Sequence, residues 1–321
     1  MSRTKKVSIR YVWWGNDTTI HKEFFKDLFN SSGYDVELIT NPNSYCDFEI
    51  VGVYQPSSDT IYEKVSKFFN SNKIVGRDNS FAYPYLYNPK THGAKHRIWL
   101  TLENVRPPAQ NDFLIKLSYD QFDFDQTNFY LPVWHMMIGL FGKTRWESDG
   151  VGTDEELNRA SYNNLLKSRS LKSYSDKLFA CAIIGHPHPV RLNAINSLSK
   201  IGKIDVYGRI SGNYIQSKFE VGKKYKFTIC FENDYYPGYV TEKLLQAYIT
   251  GTVPIYWGDL GNDSNVNRNC FINMSDFSTS NEFLEYLDSI DESQYKTIFE
   301  QPFLSNIPDV SQLKSKLISS L

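Results

Sequence analysis

Apolar residues follow two different spacings along the first part of the chain, and these predict strands separated by helices. Helical spacing occurs at 18–31 and 60–70. The predicted strands are short apolar runs at 7–14, 36–40, 48–54, 98–102 and 113–117. Because strands that alternate with helices typically pair in parallel, this part of the chain predicts an α/β domain with a mostly parallel sheet.

The same alternation resumes after a polar segment, 148–175, which we interpret as the connection between two domains. The predicted strands of the second series are 178–184, 204–207, 227–231 and 253–257. Helices are predicted at 190–201, 283–290 and 310–321. The pattern therefore predicts two Rossmann-like α/β domains, 1–165 and 166–298, followed by a helical segment at 299–321.

The segment from Lys226 to Asp259 predicts the centre of the second domain. A buried strand is followed by a loop with Pro237 and Gly238, and then by a helix that Thr241 would cap. In α/β folds, ligands bind at this position, where the carboxyl end of a strand meets a helix N-terminus. The loop is therefore the first candidate for a binding site.

Charged residues at the predicted helix starts indicate the charge of the ligand that binds there. Glu242 complements the positive end of the helix dipole, whereas Lys243 and Arg191 place cations there, at a cost of up to about 1 kcal/mol each. Both cations could simply point into water, or they could converge on one diphosphate, since phosphate is the usual anion at helix starts. Glu103 stands where a strand runs into a loop, which suits either a catalytic or a solvated carboxylate.

Composition narrows the classes of function. The 36 acidic and 35 basic residues nearly cancel, and no long basic block occurs, which argues against nucleic acid as a partner. The four cysteines lack metal-type spacing, as expected of reduced thiols in a cytoplasmic protein. No apolar stretch approaches a membrane span and the first residues lack a signal peptide, so we expect at most peripheral contact with the inner membrane face.

The central segment reads FTICFENDYYPGYVTEKLLQAYITGTVPIYWG, which resembles the donor-site signature of the bacterial α1,3/α1,4-fucosyltransferases that use GDP-fucose, glycosyltransferase family 10. Sparser similarity continues through TLEN at 101–104, where the residues after Asn104 depart from the family motif, and IDVYGR at 204–209. The resemblance implies an α/β fold of GT-B type, with two Rossmann-like domains facing each other across a cleft. The acceptor domain comes first and the nucleotide-sugar domain second.

By that resemblance, the reaction is an inverting transfer of L-fucose from GDP-fucose, a donor substrate rather than a bound cofactor. The acceptor is the 3-hydroxyl of N-acetylglucosamine in a galactose-containing oligosaccharide, as in Lewis-type lipopolysaccharide O-antigens. Glu103 is the implied general base, and Glu242 would face the sugar ring, where charge develops at the anomeric carbon. No metal is implied. The residues implied to bind the donor are Arg191, Tyr207, Gly208, Asn233, Tyr239, Thr241, Glu242 and Lys243.

Two alternatives stay open at this point. Asp123 and Asp125 form a DxD pattern, which in other sugar transferases binds a divalent ion and would indicate a metal-dependent transferase of another nucleotide sugar. His186 and His188 lack a third ligand at suitable spacing, which favours a pair of loop residues over a metal site. Phe, Tyr and Trp make up 15% of the chain, which would also suit a non-catalytic glycan-binding protein.

Overall fold

The structure is a computed structural model that describes residues 5–12, 19–41, 43–53, 93–108, 112–121, 126–138, 154–185 and 187–321. The chain divides into two compact units. The first unit is Met1–Leu131 together with Val310–Leu321, and the second unit is Pro132–Asp309. Each contains one sheet in which every described strand pair is parallel, as the alternation of strands and helices predicted.

The sheet of the first unit has the strand order β2-β1-β3-β4-β5-β6. Its strands are β1 (Lys5–Val12), β2 (Tyr34–Leu38), β3 (Cys46–Val51), β4 (Ala94–Leu100), β5 (Ile115–Ser118) and β6 (Asn128–Tyr130). Helix α1 (Thr19–Asn30) follows β1 and buries Phe24, Phe25, Leu28 and Phe29, the apolar face expected from the sequence. The predicted helix at 60–70 lies outside the described residues.

The sheet of the second unit has the order β11-β10-β9-β7-β8. Its strands are β7 (Leu178–Ile183), β8 (Ile204–Tyr207), β9 (Tyr225–Phe231), β10 (Val253–Trp257) and β11 (Ile272–Asn273). Its helices are α2 (Val133–Met137), α3 (Asp154–Arg159), α4 (Tyr162–Leu165), α5 (Pro189–Leu198), α6 (Lys218–Gly222), α7 (Lys243–Ile249), α8 (Ser280–Asp288) and α9 (Glu292–Phe299). Short 3-10 turns span Arg268–Cys270 and Met274–Asp276.

The central strands of the second sheet read as continuous apolar runs because both faces are covered. Every residue of β10 except Trp257 is buried, and so is every residue of β9 except Lys226. Phe227, Ile229 and Ile255 pack in one cluster with side chains of α8 and α9. Packing of this kind fixes β9 and β10 side by side, and therefore fixes the loops that leave them.

The units divide at Leu131, earlier than the predicted boundary at 165, because the segment that follows packs on the second unit. Trp134 contacts Phe303 edge to face, and the Leu165 carbonyl accepts a 2.9 Å hydrogen bond from the Leu304 amide. The predicted segment 299–321 is likewise split between the units. Its last helix, α10 (Ser311–Ser319), belongs to the first unit, where Lys314 Nζ lies 3.0 Å from Ser31 Oγ.

All four cysteines are buried and free, in agreement with the sequence. Across the described ranges, no helix is both long and apolar enough to cross a membrane.

Candidate functional site: a basic pocket at the carboxyl edge of the second sheet

A pocket of about 370 Å³ lies in the second unit, between neighbouring strands β7 and β9. The chain leaves β7 toward β8 but leaves β9 toward β10, on the other side. Connections that diverge in this way leave a crevice at the carboxyl ends of the strands, the usual ligand position in open α/β sheets. Ile184, Gly185 and Asn233, which follow these strands directly, line the pocket.

Gly208, which follows β8, packs its backbone closely against the backbone of Ile184, which follows β7. Its φ of +96° lies in the left-handed region, and a Cβ atom at this position would be 2.6 Å from the Ile184 carbonyl oxygen. Gly208 lines the pocket, whereas Tyr207 is not among the lining residues. The Tyr207 hydroxyl instead lies 2.7 Å from the hydroxyl of Tyr225, which donates to Asp205.

Arg191 connects helix α5 to the end of β9. Its side chain is buried, and Nη2 donates to the Phe231 carbonyl at 2.8 Å and to Asn233 Oδ1 at 2.6 Å. Burial lowers the pKa of Arg191 below its usual value, while the carboxylates of Glu232 and Glu242 act to raise it. The guanidinium therefore fixes the start of the loop that follows β9 and lines the pocket at the same time.

Glu232 organises this loop, and the sequence reasoning did not identify it as a site residue. Its side chain is completely buried. Its carboxylate accepts hydrogen bonds from the Thr241 amide (2.8 Å), the Thr241 hydroxyl (2.6 Å), the Tyr256 hydroxyl (3.2 Å) and Lys243 Nζ (3.2 Å). A buried carboxylate requires such partners, so Glu232 pins the end of the loop against its beginning.

The prediction that Thr241 caps α7 was wrong. The N-cap residue is Glu242, with helical φ and ψ of −66° and −20°, and it makes no side-chain capping hydrogen bond. The Thr241 hydroxyl donates to Glu232 instead. A hydrogen bond to an ionised carboxylate is stronger than one to a neutral amide, and the fold brings this carboxylate within reach.

Lys243 and Glu242 form a charged pair at the start of α7. Lys243 Nζ lies 3.6 Å from Glu242 Oε1 and 3.2 Å from Glu232 Oε2. Burial opposes the charge on Lys243, but Glu242 and Glu232 together raise its pKa above the usual value. Burial likewise opposes the charge on Glu242, but Lys243 brings the pKa of that carboxyl below its usual value. Both side chains are therefore ionised at neutral pH, and both line the pocket.

The pocket carries more positive than negative charge. Arg191, Lys218 and Lys243 line it, and Glu242 is the carboxylate among its lining residues. Lys218, contributed by α6, was not predicted; its Nζ lies 3.3 Å from Gln246 Oε1. Cations gathered in a cleft with apolar walls attract anions, and phosphate groups most of all. The structure brings Arg191 and Lys243 to the same pocket, and their convergence on one diphosphate stays a prediction.

The remaining candidates lie elsewhere. Tyr239 and Thr241 are buried, and neither is among the residues that line the pocket. Glu103 belongs to the first unit, just beyond the carboxyl end of β4, where its amide donates to Thr101 Oγ1 at 3.0 Å. His188 occupies the N-cap position of α5, with its imidazole 6.0 Å from the indole of Trp257.

Asp123, Asp125 and His186, which carried the metal-binding alternatives, lie outside the described residues. Among the residues that are described, no three His, Cys, Asp or Glu side chains are grouped so that they could hold a metal ion.

Residues 176–302 match the family model described as glycosyltransferase family 10 (fucosyltransferase), C-terminal. The α-(1,3)-fucosyltransferase FucT of Helicobacter pylori is 25% identical over 314 residues, which cover 90% of this chain and 59% of that protein. The mouse protein named 4-galactosyl-N-acetylglucosaminide 3-alpha-L-fucosyltransferase 9 is 29% identical over 144 residues, which cover 42% of this chain and 40% of that protein. The chain thus spans less than two thirds of the length of these curated relatives.

Solved structures show the same fold. A crystal structure of an α1,3-fucosyltransferase with GDP-fucose matches all of this chain and 92% of its own, with a TM-score of 0.67 and 19% identity. A crystal structure of an α1,3-fucosyltransferase with GDP gives a TM-score of 0.63 and 23% identity over 99% of this chain and 90% of its own. The predicted GT-B type fold, with two Rossmann-like units, is therefore confirmed. These comparisons confirm the resemblance to the family 10 fucosyltransferases, which is carried by residues 176–302, the part of the chain that matches the C-terminal model of that family.

Proposed function

We propose that this protein is an inverting α1,3-fucosyltransferase that takes its sugar from GDP-fucose. The observation that carries the proposal is the basic pocket at the carboxyl edge of the second sheet, which lies within the segment that matches the fucosyltransferase family. Nucleotides bind in this position in open α/β folds, and a nucleoside diphosphate brings the negative charge that the pocket lacks. The relative that was crystallised with GDP-fucose has the same fold.

In this proposal the cations of the pocket hold the diphosphate. Arg191, Lys218 and Lys243 offer charge-assisted hydrogen bonds, and Gly208 contributes backbone to the pocket wall. Their positive charge also stabilises the GDP leaving group as the sugar departs, without a protein-bound metal. Thr241 acts indirectly, because it positions Glu232 and Lys243 rather than lining the pocket. Asn233 is held by Arg191 at the rim.

The chemical step joins the acceptor oxygen to the anomeric carbon of fucose and breaks the bond between that carbon and GDP. Glu103 accepts the proton of the acceptor hydroxyl as the hydroxyl attacks from the face opposite GDP, so a β-linked donor gives an α-linked product. The ionised carboxylate of Glu242 faces the ring and stabilises the positive charge that develops at the anomeric carbon. Glu103 thus acts as the base and Glu242 as the electrostatic stabiliser, while the cations of the pocket hold the leaving group.

The acceptor we propose is the 3-hydroxyl of N-acetylglucosamine in a galactose-containing glycan, such as a Lewis-type unit of a lipopolysaccharide O-antigen. The name of the mouse relative, a 4-galactosyl-N-acetylglucosaminide 3-fucosyltransferase, supports this acceptor.

The direct test offers the enzyme equal concentrations of GDP-fucose and GDP-mannose with N-acetyllactosamine as acceptor. Mass spectrometry should show addition of deoxyhexose only, and NMR should show an α linkage at the 3-position of N-acetylglucosamine. Transfer of mannose at a comparable rate would overturn the choice of donor, and a β-linked product would overturn the inverting mechanism.

A further inference from the structure

A second basic pocket, of about 560 Å³, lies in the second unit at the amino edge of the sheet. The pocket lined by Arg191, Lys218 and Lys243, from here on the donor pocket, lies at the opposite, carboxyl edge. It is lined by residues that directly precede β7, β9 and β10, among them Lys177, Lys224 and Gly251. Thr250 lines both pockets and is part of the wall between them. The fucosyl transfer proposed above makes no use of this second pocket.

Cations dominate the lining of this amino-edge pocket. The cations among its lining residues are Arg159, Arg169, Lys172, Lys177, Lys223 and Lys224. Three carboxylates accompany them. Asp176 is part of the lining, Glu155 lies 2.6 Å from Arg159, and Glu220 lies 2.5 Å from Lys223. The six cations thus outnumber these three carboxylates.

Part of this charge satisfies backbone carbonyls around the end of α7. Arg169 donates to the carbonyls of Tyr248 at 2.6 Å and Thr252 at 3.1 Å, and Lys177 Nζ lies 3.1 Å from the carbonyl of Gly251. The end of a helix presents only about half a negative charge, which cannot balance the surplus. Lys172 and Lys224 are exposed, and no described carboxylate lies within ion-pair distance of either one.

The surplus charge acts on Lys177, the half-buried lysine of the group. Burial and, after it, the positive charges of Arg169 and Arg159 lower the pKa of Lys177 to about 8. An anion bound in the pocket would remove this unfavourable interaction between like charges and would favour the protonated lysine. The amino-edge pocket therefore has the electrostatic character of an anion site.

We propose that the amino-edge pocket binds a phosphate-bearing anion, either a soluble phosphate compound or the phosphorylated head group of a lipid. A phosphate group brings up to two negative charges and several acceptor oxygens, which matches a cluster of lysine ammonium groups. The volume lies within the range of about 300–1,000 Å³ that is common for small-molecule sites, so the pocket accommodates more than a bare ion.

The test is a calorimetric titration that measures the affinity of inorganic pyrophosphate for the full chain and for the double variant Lys172→Gln/Lys224→Gln. The matched control is Lys200→Gln/Lys203→Gln, which removes the same charge from exposed lysines of the same unit that do not line the pocket. We expect the first pair to weaken pyrophosphate binding by at least about tenfold and the control pair to change it by less than about twofold.

Lys218→Gln, in the donor pocket, serves as a second control. A parallel arm measures co-sedimentation of the same variants with phosphatidylcholine vesicles that contain phosphatidylglycerol. Loss of pyrophosphate binding in Lys172→Gln/Lys224→Gln supports a soluble ligand, and loss of vesicle binding in that variant supports a lipid head group. The proposal is overturned if Lys172→Gln/Lys224→Gln behaves like Lys200→Gln/Lys203→Gln with both probes, or if Lys218→Gln alone accounts for the loss.

Discussion

Among the described residues, each unit buries one glutamate completely, and the two units satisfy it in different ways. In the first unit, Arg10 donates to Glu49 Oε1 through Nε at 3.0 Å and Nη2 at 2.8 Å, and Arg97 Nε lies 3.5 Å from Oε2. In the second unit, Glu232 is bound by the amide and hydroxyl of Thr241, by Tyr256, and by one cation, Lys243.

The difference in partners indicates that the cluster around Glu49 stabilises the fold, whereas the cluster around Glu232 belongs to a binding site. In the first unit, Arg10 and Arg97 lie opposite Glu49 on adjacent parallel strands, and their side chains are only 4% and 13% exposed. In the second unit, neutral donors supply most of the hydrogen bonds to Glu232, and Lys243 keeps 23% of its side chain exposed and lines a pocket. Glu232, Glu242 and the Thr241 hydroxyl thus position Lys243, and its exposed fraction leaves it available to a ligand.

The largest effect is expected from Glu49→Ala. The change leaves Arg10 and Arg97 without their buried carboxylate, and breaking such a cluster costs about 3–5 kcal/mol of unfolding free energy. Denaturant-induced unfolding measures the loss. The control is Lys6→Ala, which removes an exposed pair with Glu37 at 3.8 Å and should cost less than about 1 kcal/mol. A loss as small as that of the control would show that the first cluster does not stabilise the fold.

The next effect is expected on catalysis, from Glu103→Gln in the first unit. If Glu103 is the general base, turnover at saturating donor and acceptor should fall by at least about two orders of magnitude, because the amide cannot accept the proton. GDP affinity should stay within about twofold, since the groups proposed to bind GDP belong to the second unit. Turnover close to that of the wild type would transfer the role of base to another carboxylate, with Asp112 and Glu242 as the first to examine.

Each unit also buries a histidine, which gives a pH prediction that should hold for both. Burial lowers the pKa of His135 to about 3, and burial together with nearby Lys22 does the same for His21. In the unfolded chain each histidine binds a proton near pH 6.5, whereas in the folded chain it stays neutral down to about pH 3. The folded state therefore keeps its full stability above pH 6.5 and loses stability as the pH falls toward 3.

Each histidine should therefore make the unfolding free energy fall by about 1.4 kcal/mol per pH unit below 6. Replacement of His135 by Gln should reduce the slope of unfolding free energy against pH by about 1.4 kcal/mol per pH unit in the second unit. The slope for the first unit should not change. Equal slopes for the variant and the wild type between pH 5 and 6 would mean that His135 is not held neutral.

Most of the described strands and the longer described helices could be predicted, mainly from the spacing of apolar residues. The strands β6 and β11 and the helices α2 and α6 were not predicted, because each has only two to five residues, too few to give a clear period. Helix α9 was not predicted either. The role of Glu232 could not be predicted either, since its partners Thr241 and Tyr256 meet it only after β9, α7 and β10 have packed. From the sequence, Glu232 is simply a glutamate that follows an apolar strand.

Lys243 also shows how far the site could be predicted from the sequence. From the sequence, a cation at a helix start indicates an anionic ligand, whereas in the structure Glu232 and Glu242 already compensate part of that charge. The stronger argument for a ligand is the clustering of Lys243 with Arg191 and Lys218 around one pocket, and the sequence did not place Lys218 there.

The smallest effect is expected from Thr241→Val, which tests whether Thr241 positions Lys243. Lys243 Nζ lies 2.8 Å from the Thr241 hydroxyl, and that hydroxyl binds Glu232. Loss of a hydrogen bond of this kind, worth about 0.5–1.5 kcal/mol, should weaken GDP binding by roughly two- to tenfold. Thr241→Ser keeps the hydroxyl and should restore the affinity. Weak GDP binding in Thr241→Ser as well would assign the effect to packing and not to the hydroxyl.

The central claim, that the pocket of the second unit binds the donor nucleotide through positioned cations, is tested most directly by calorimetric titration of GDP into Lys243→Gln. Glutamine keeps a donor toward Glu232 but removes the charge, and loss of a charge-assisted contact of about 1.5–3 kcal/mol should weaken GDP binding by roughly ten- to a hundredfold. Lys203→Gln, an exposed lysine of the same unit, should leave the affinity unchanged. Equal GDP affinity in folded Lys243→Gln and wild type would contradict the account.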